Sequence, residues 1–396
     1  MYKNANPNFL HKLDVIHHKA IKLCTGAYPT SPTLSLLCDA NEPPLSLRRL
    51  YLARRSQLRD NSYNYSSDEI QQIPQPFTPN ICFSVLQTLH PNFPPWNSCP
   101  INVDLSLDSN TPLLQIQQHL EKYTNHIKFF TDGSVSQNYA GCAFLQEDSA
   151  SLFTLPPEMS PLTAELFALY QTALTISRSN GSNFLVCSDS LISLKHLQSL
   201  NVPGINPYVW KILEVLQTIQ NKNIVFCWIP SHVNLRPHDE VDSLAKKAAR
   251  SLPCPNYPVP LQDLQNRAKK LITSDWSAQW NQTPTTNKLR TIRELATPWQ
   301  SSIRKSRREE VAITRLRIGH SNLTHSYLLN KTDPPVCSSC NCRLTVAHVL
   351  VHCSGFNAQR RTLNMSGDLS CILGNDTSQI DTLIQFLKNS NLLSSI

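Results

Sequence analysis

Between residues 126 and 250 the sequence sets out short apolar runs and helical periods in an order that narrows the topology sharply. Ile127 to Thr131, Gly141 to Leu145 and Ala150 to Thr154 read as three successive strands. Ser160-Pro161 then opens a helix with Leu162, Leu166, Leu169, Ala173 and Ile176 on one face and Asn180-Gly181 to stop it. Phe184 to Cys187 and Ile224 to Ile229 are two further buried strands, with helices expected over 191–200 and 207–220. A last helix, Asp239 to Arg250, shows Val241, Leu244, Ala245 and Ala248 on one side. Three strands in hairpin order, followed by strands that need crossover helices, imply an α/β fold: a five-stranded mixed sheet with helices packed on it.

The flanks have a different character. A chain of 396 residues has room for two or three domains. Residues 1–60 carry helical apolar spacing, and 61–121 are rich in Ser, Asn, Gln and Pro, which reads as a linker. The sheet domain is expected over 122–252, a basic helical segment over 253–335, a Cys/His segment over 336–358 and a tail over 359–396. No signal peptide opens the sequence and no apolar run reaches transmembrane length, so the 13 cysteines suggest a reduced, intracellular chain away from membranes. Nothing in the sequence indicates an oligomeric state.

Four carboxylates fall at informative places in the sheet domain. Asp132, in Thr131-Asp132-Gly133-Ser134, closes the first strand; Glu165 lies in the first turns of the first helix; Asp189 ends a buried strand; Asp242 sits on the last helix. His232 precedes Asp242 by ten residues. Carboxylate oxygens are preferred ligands of Mg²⁺ and Mn²⁺, and two such ions about 3.5–4 Å apart can clamp an in-line phosphoryl displacement. Asp132-Gly133 taken alone also fits an ordinary turn.

Thr131-Asp132-Gly133-Ser134, Ala164-Glu165-Leu166, Ser188-Asp189-Ser190 and His232 with Asp242-Ser243-Leu244-Ala245-Lys246 together resemble the ribonuclease H type 1 family over roughly residues 126–250. The resemblance implies two Mg²⁺ or Mn²⁺ ions and cleavage of the RNA strand of RNA–DNA hybrids. It makes Asp132 the bridging ligand, places Glu165 and Asp189 on the leaving-group ion and Asp242 on the ion beside the attacking water, and gives His232 a part in proton movement or product release. Groups near Gly133, Ser134 and Glu165 would read the 2′-hydroxyl. The sequence departs from the family at Pro237-His238-Asp239, where Gly-Asn-Glu is usual, which suggests a stiffened loop after His232.

Charge and cysteine spacing point to nucleic acid and zinc. Residues 126–250 carry nine Lys/Arg and ten Asp/Glu, whereas 267–317 carry twelve Lys/Arg and four Asp/Glu. That basic excess fits a polyanionic partner or a solvated helical face. Cys337, Cys340, His348 and Cys353 follow a Cys-x2-Cys-x7-His-x4-Cys spacing suited to a tetrahedral structural zinc, with Cys342 as a competitor for Cys340. This segment, together with Arg315 to His320, resembles the C-terminal tail of Jockey-like non-LTR retrotransposon polyproteins. Leu13 to His18, Cys24 to Ala27 and Glu42 to Leu45 resemble the end of their reverse transcriptase region. No Asp-Asp pair occurs, so polymerase chemistry is not expected. Two functions follow: a hybrid-specific ribonuclease, or a non-catalytic nucleic-acid-binding retroelement fragment using the basic segment and the Cys/His tail.

Overall fold

A computed structural model describes residues 5–61, 85–86, 101–147, 149–198, 205–219, 221–251 and 255–396. In chain order the helices α1 (Pro7–Thr25), α2 (Thr33–Asp39) and α3 (Leu45–Asn61) precede the short strands β1 (Val85–Leu86) and β2 (Asn102–Asp104) and helix α4 (Leu113–Glu121). Strands β3 (Ile127–Val135), β4 (Ala140–Gln146) and β5 (Ser149–Leu155) lead to α5 (Pro161–Arg178), β6 (Asn183–Ser188), α6 (Leu191–Gln198), α7 (Pro207–Thr218), β7 (Asn223–Trp228) and α8 (Arg236–Ala249). After β8 (Val259–Pro260) come α9 (Leu261–Asn281), α10 (Arg307–Ile318), α11 (Asn322–His325), α12 (Tyr327–Asn330), α13 (Asn357–Thr362), α14 (Leu369–Leu373) and α15 (Thr377–Asn389). The chain divides into two units, Arg55–Arg267 and Met1–Arg54 with Ala268–Ile396.

The first unit is a six-stranded mixed sheet in the order β2-β7-β6-β3-β4-β5, in which β2, β7, β6 and β3 run parallel and β3, β4 and β5 form antiparallel pairs. Side chains alternate across it, as a period of two requires. Phe129, Phe184, Val186 and Phe226 face a core with Leu166 and Leu169 of α5 and Val209 and Ile212 of α7. Phe130, Leu185, Cys187, Val225 and Cys227 face a second core with Ile116 and Leu120 of α4 and Val241 and Ala245 of α8. Sandwiched strands of this kind are near-continuously apolar, and each fully buried Phe or Leu contributes about 1.5–3 kcal/mol.

The sheet has six strands among the described residues, not the five expected, because the stretch read as linker supplies β2 and α4. Asp104 ends β2 and accepts from Tyr123 at 2.7 Å and from Ser106 Oγ at 2.6 Å, and lies 2.7 Å from His119 Nε2 on α4. Burial works against its charge, yet those bonds hold the carboxyl down at about 2. The group is thereby a fully partnered staple joining β2 and α4. Ile73 to Pro76 and Asn92 to Pro95, the Pro-rich parts of the expected linker, lie outside the described residues.

The second unit joins segments from both ends of the chain. The helical N-terminal segment packs with the basic one: Leu37, Cys38 and Leu47 share a core with Ile272, Trp276 and Trp280 of α9. Residues 359–396 are not a tail: Ile380, Leu383, Phe386 and Leu387 of α15 pack with Ile313 and Leu316 of α10 and with Val349 and Leu350. The basic segment is partly structural. Arg317 is 1% exposed, bonds the carbonyls of Leu373 and Gly374 at 2.8 and 2.7 Å and the hydroxyls of Ser301 and Ser302 at 2.8 and 2.6 Å, and its guanidinium lies 4.4 Å from the Trp299 ring centroid. Arg293, also 1% exposed, lies 4.7 Å from the same centroid. Charge-assisted bonds of this kind leave buried carbonyls unsatisfied when removed, so Arg317→Ala is expected to cost about 3 kcal/mol or more, measured by urea denaturation.

Candidate active site and metal centre

β3 and β6 pair in parallel up to Thr131↔Ser188, so Asp132 and Asp189 are the next residues on adjacent strands at the same carboxyl edge. That edge is where open α/β sheets place their chemistry, since the chains there leave the sheet and side chains converge. Trp228, at the end of β7, donates its indole N–H to the Asp189 carbonyl at 2.9 Å and so fixes the backbone of that residue.

Helix α5 delivers Glu165. Ser160 caps it, its hydroxyl accepting from the Thr163 amide, and Pro161 starts it. Gly133 lets the helix approach β3: a Cβ at that position would lie 2.6 Å from the Glu165 nitrogen and 2.8 Å from the Ala164 carbonyl carbon. The Gly133 amide donates to Glu165 Oε1 at 3.0 Å, while the buried Oε2 has no hydrogen-bond partner. Gly133→Ala is therefore expected to push α5 outward and displace Glu165 from the site, at a cost of about 1–3 kcal/mol in stability measured by urea denaturation.

Helix α8 delivers the remaining groups. It lies close on β4, where a Cβ on Gly141 would come 2.3 Å from the Ala249 nitrogen. The helix starts at Arg236, three residues earlier than expected, with Leu235 as its cap and Pro237 in its first turn. Pro237-His238-Asp239 accordingly belongs to the helix, and the stiffened loop inferred there is replaced by a helical turn. His238, buried at 3% exposure, lies 3.3 Å from Asp189 Oδ2 through Nε2. Asp242, one turn later, is paired with Lys246 at 2.6 Å.

The structure thus brings together Asp132, Asp189 and His238, whose ligand atoms all lie within 4.8 Å of one another. Burial raises the Asp132 carboxyl to about 6, with the charges of Asp189 and Asp242 adding to it. Burial likewise pushes Glu165 well up, with Asp132 and Asp189 next in weight. For His238 burial acts downward, but the bond to Asp189 and the charges of Asp189 and Asp132 outweigh it and raise the imidazole. Acids crowded this way want a cation. Ser134 lies two residues beyond Asp132 on the same face of β3, and Gly133 beneath α5. His232 is exposed on the loop before α8 in left-handed backbone conformation (φ 57°), outside the group of ligand atoms. The sequence pattern puts His238 in the altered loop after His232 and not among the site residues, although its i, i+4 spacing from Asp242 puts both on one helix face.

In the second unit Cys337, Cys340, His348 and Cys353 converge, their ligand atoms within 4.8 Å of one another. Cys353 Sγ lies 3.6 Å from Cys337 Sγ and 4.0 Å from Cys340 Sγ. A tight turn sets the Cys pair, with Asn341 at φ 50° and the Asn341 amide bonded to the Cys337 carbonyl at 2.8 Å. A π-helical turn over His348–His352 carries His348, and Cys353 caps its end. Ser354 donates its amide to Cys340 Sγ at 3.4 Å, and its hydroxyl and amide bring that thiol down to about 7. Cys342 stands 3.3 Å from His348 Nδ1, beside the set. Three thiols and an imidazole in this arrangement could hold a zinc ion.

No helix among the described residues is long and apolar enough to cross a membrane. No protein-family model matches the chain, and no curated protein sequence matches it significantly.

Proposed function

We propose that the sheet-centred unit hydrolyses the RNA strand of RNA–DNA hybrids with divalent metal ions held by Asp132, Glu165, Asp189 and Asp242, as part of a retroelement-derived polypeptide. The observation that carries this reading is the convergence of Asp132 and Asp189 at one sheet edge, with the buried Glu165 near enough for their charges to act on it and no lysine or arginine bonded to any of the three among the described residues. The orphaned Glu165 Oε2 is a free ligand atom, and a set made mainly of carboxylates suits Mg²⁺ or Mn²⁺. When bound, such ions neutralise charge at the scissile phosphate and lower the pKa of an attacking water.

The chain's own residues do the positioning. The Gly133 amide and the Ser160 cap hold Glu165, Trp228 holds Asp189, and Lys246 holds Asp242 until a cation competes for it. His232, exposed beside the site's helix, is free to move protons between the site and solvent. The Cys/His cluster would keep a structural zinc in the second unit. The alternative of a purely nucleic-acid-binding fragment draws less support from the basic segment once Arg293 and Arg317 are structural, leaving Lys269, Lys270, Lys288, Lys305, Arg307 and Arg308 as exposed positive charges there. The test is a strand-labelled hybrid incubated with the purified chain and Mg²⁺ or Mn²⁺: cleavage of the RNA strand alone supports the reading, and intact substrate with folded protein rejects it.

A further inference from the structure

We propose that His238 is a nitrogen ligand of the cation held by Asp132 and Asp189, so that this site selects Mn²⁺ over Mg²⁺. The inference rests on the hydrolase reading only in placing a cation between those two aspartates. Donors bound to one octahedral ion at about 2.1–2.2 Å stand about 3 Å apart when adjacent and about 4.3 Å when opposite. His238 Nε2 at 3.3 Å from Asp189 Oδ2 matches an adjacent pair, and the whole three-residue set lies within 4.8 Å.

His238 is 3% exposed, and its Nε2 faces the acidic group at the distance of an adjacent ligand. Pro237 in the first turn of α8 fixes the backbone that presents the ring, and Asp242 follows one turn later on the same face. A buried carboxylate oxygen without a hydrogen-bond partner, Glu165 Oε2, lies beside the same acids. Imidazole suits first-row transition ions, whereas Mg²⁺ keeps oxygen ligands and its own waters, so a nitrogen donor biases the site away from Mg²⁺.

The experiment is electron paramagnetic resonance on the full chain with Mn²⁺ alone, read for ¹⁴N modulation, together with Mn²⁺ titration and Mg²⁺ competition for wild type and His238→Asn. Wild type is expected to show imidazole nitrogen coupling, and His238→Asn to lose it and to bind Mn²⁺ about tenfold more weakly while its Mg²⁺ affinity changes little. Bound Mn²⁺ without nitrogen coupling in wild type overturns the proposal whether or not the variant folds. If Asp132→Asn still abolishes that binding and hybrids are still cut, the hydrolase reading survives. Absence of Mn²⁺ binding to wild type overturns both.

Discussion

Asp132→Asn is expected to abolish hybrid cleavage, by about a thousandfold or more, while raising the melting temperature of the metal-free protein above pH 6. The two effects share one cause. The unfolded chain releases the Asp132 proton near 3.8, whereas the folded protein keeps it up to about 6. The folded state therefore has its full advantage below pH 3.8 and loses it as pH rises through that window. At about 1.36 kcal/mol per unit, the loss approaches about 3 kcal/mol by pH 7. Glu165, also raised, adds a loss that begins above 4.5, and His238, raised from 6.5, loses its stabilising charge as pH climbs further. Metal-free wild type should thus melt progressively lower from pH 4 to 8, and Asp132→Asn should flatten the profile. Saturating Mn²⁺ should restore wild type and do little for the variant. Calorimetric scans across pH, with and without the ion, check this; equal slopes for the two proteins would contradict it.

Removal of zinc is expected to unfold the second unit while leaving the sheet-centred unit folded. Structural zinc in small Cys/His sites supplies on the order of 10 kcal/mol of binding free energy that is also folding free energy. Cys353 is 1% exposed, and the helical turn that it caps puts Val349 and Leu350 into the core with α10 and α15. Losing the ion would release that turn and leave buried thiols facing one another. The purified chain should carry one zinc, and Cys353→Ser should lose it. Cys342→Ser should retain it, because Cys342 sits beside His348 and outside the four-ligand set. Zinc content by mass spectrometry and the loss of one of two melting transitions with a strong chelator are the measurements. Retention of zinc by Cys353→Ser would displace this ligand assignment.

Much of the sheet was legible because its signals are local. The strand order from Ile127 to Trp228, the Ser160 cap with Pro161 and the helices between the parallel strands follow from apolar period and turn chemistry, which neighbouring residues determine. β2 was not legible: three residues make a strand only when the exposed edge of β7 accepts them. α15 passed for a tail because its apolar stripe acquires meaning only against α10 and the Cys/His turn. Arg317 read as surface charge, since no local pattern shows that the carbonyls of Leu373 and Gly374 will need a donor.

The site divides in the same way. From the sequence came the identity of the acids and their attachment to strand and helix ends, because residue type and period settle which positions reach a sheet edge. The cysteine spacing likewise marked the zinc candidates. Tertiary structure alone decided that Asp132 and Asp189 become neighbours on paired strands, that α5 packs so close on β3 that no Cβ fits at Gly133, and that Pro237 lies in the first turn of a helix rather than stiffening a loop. That last change turns His238 inward against Asp189 and leaves His232 outside, since helix phase and strand register are set by packing across the sheet rather than by any residue's own preference.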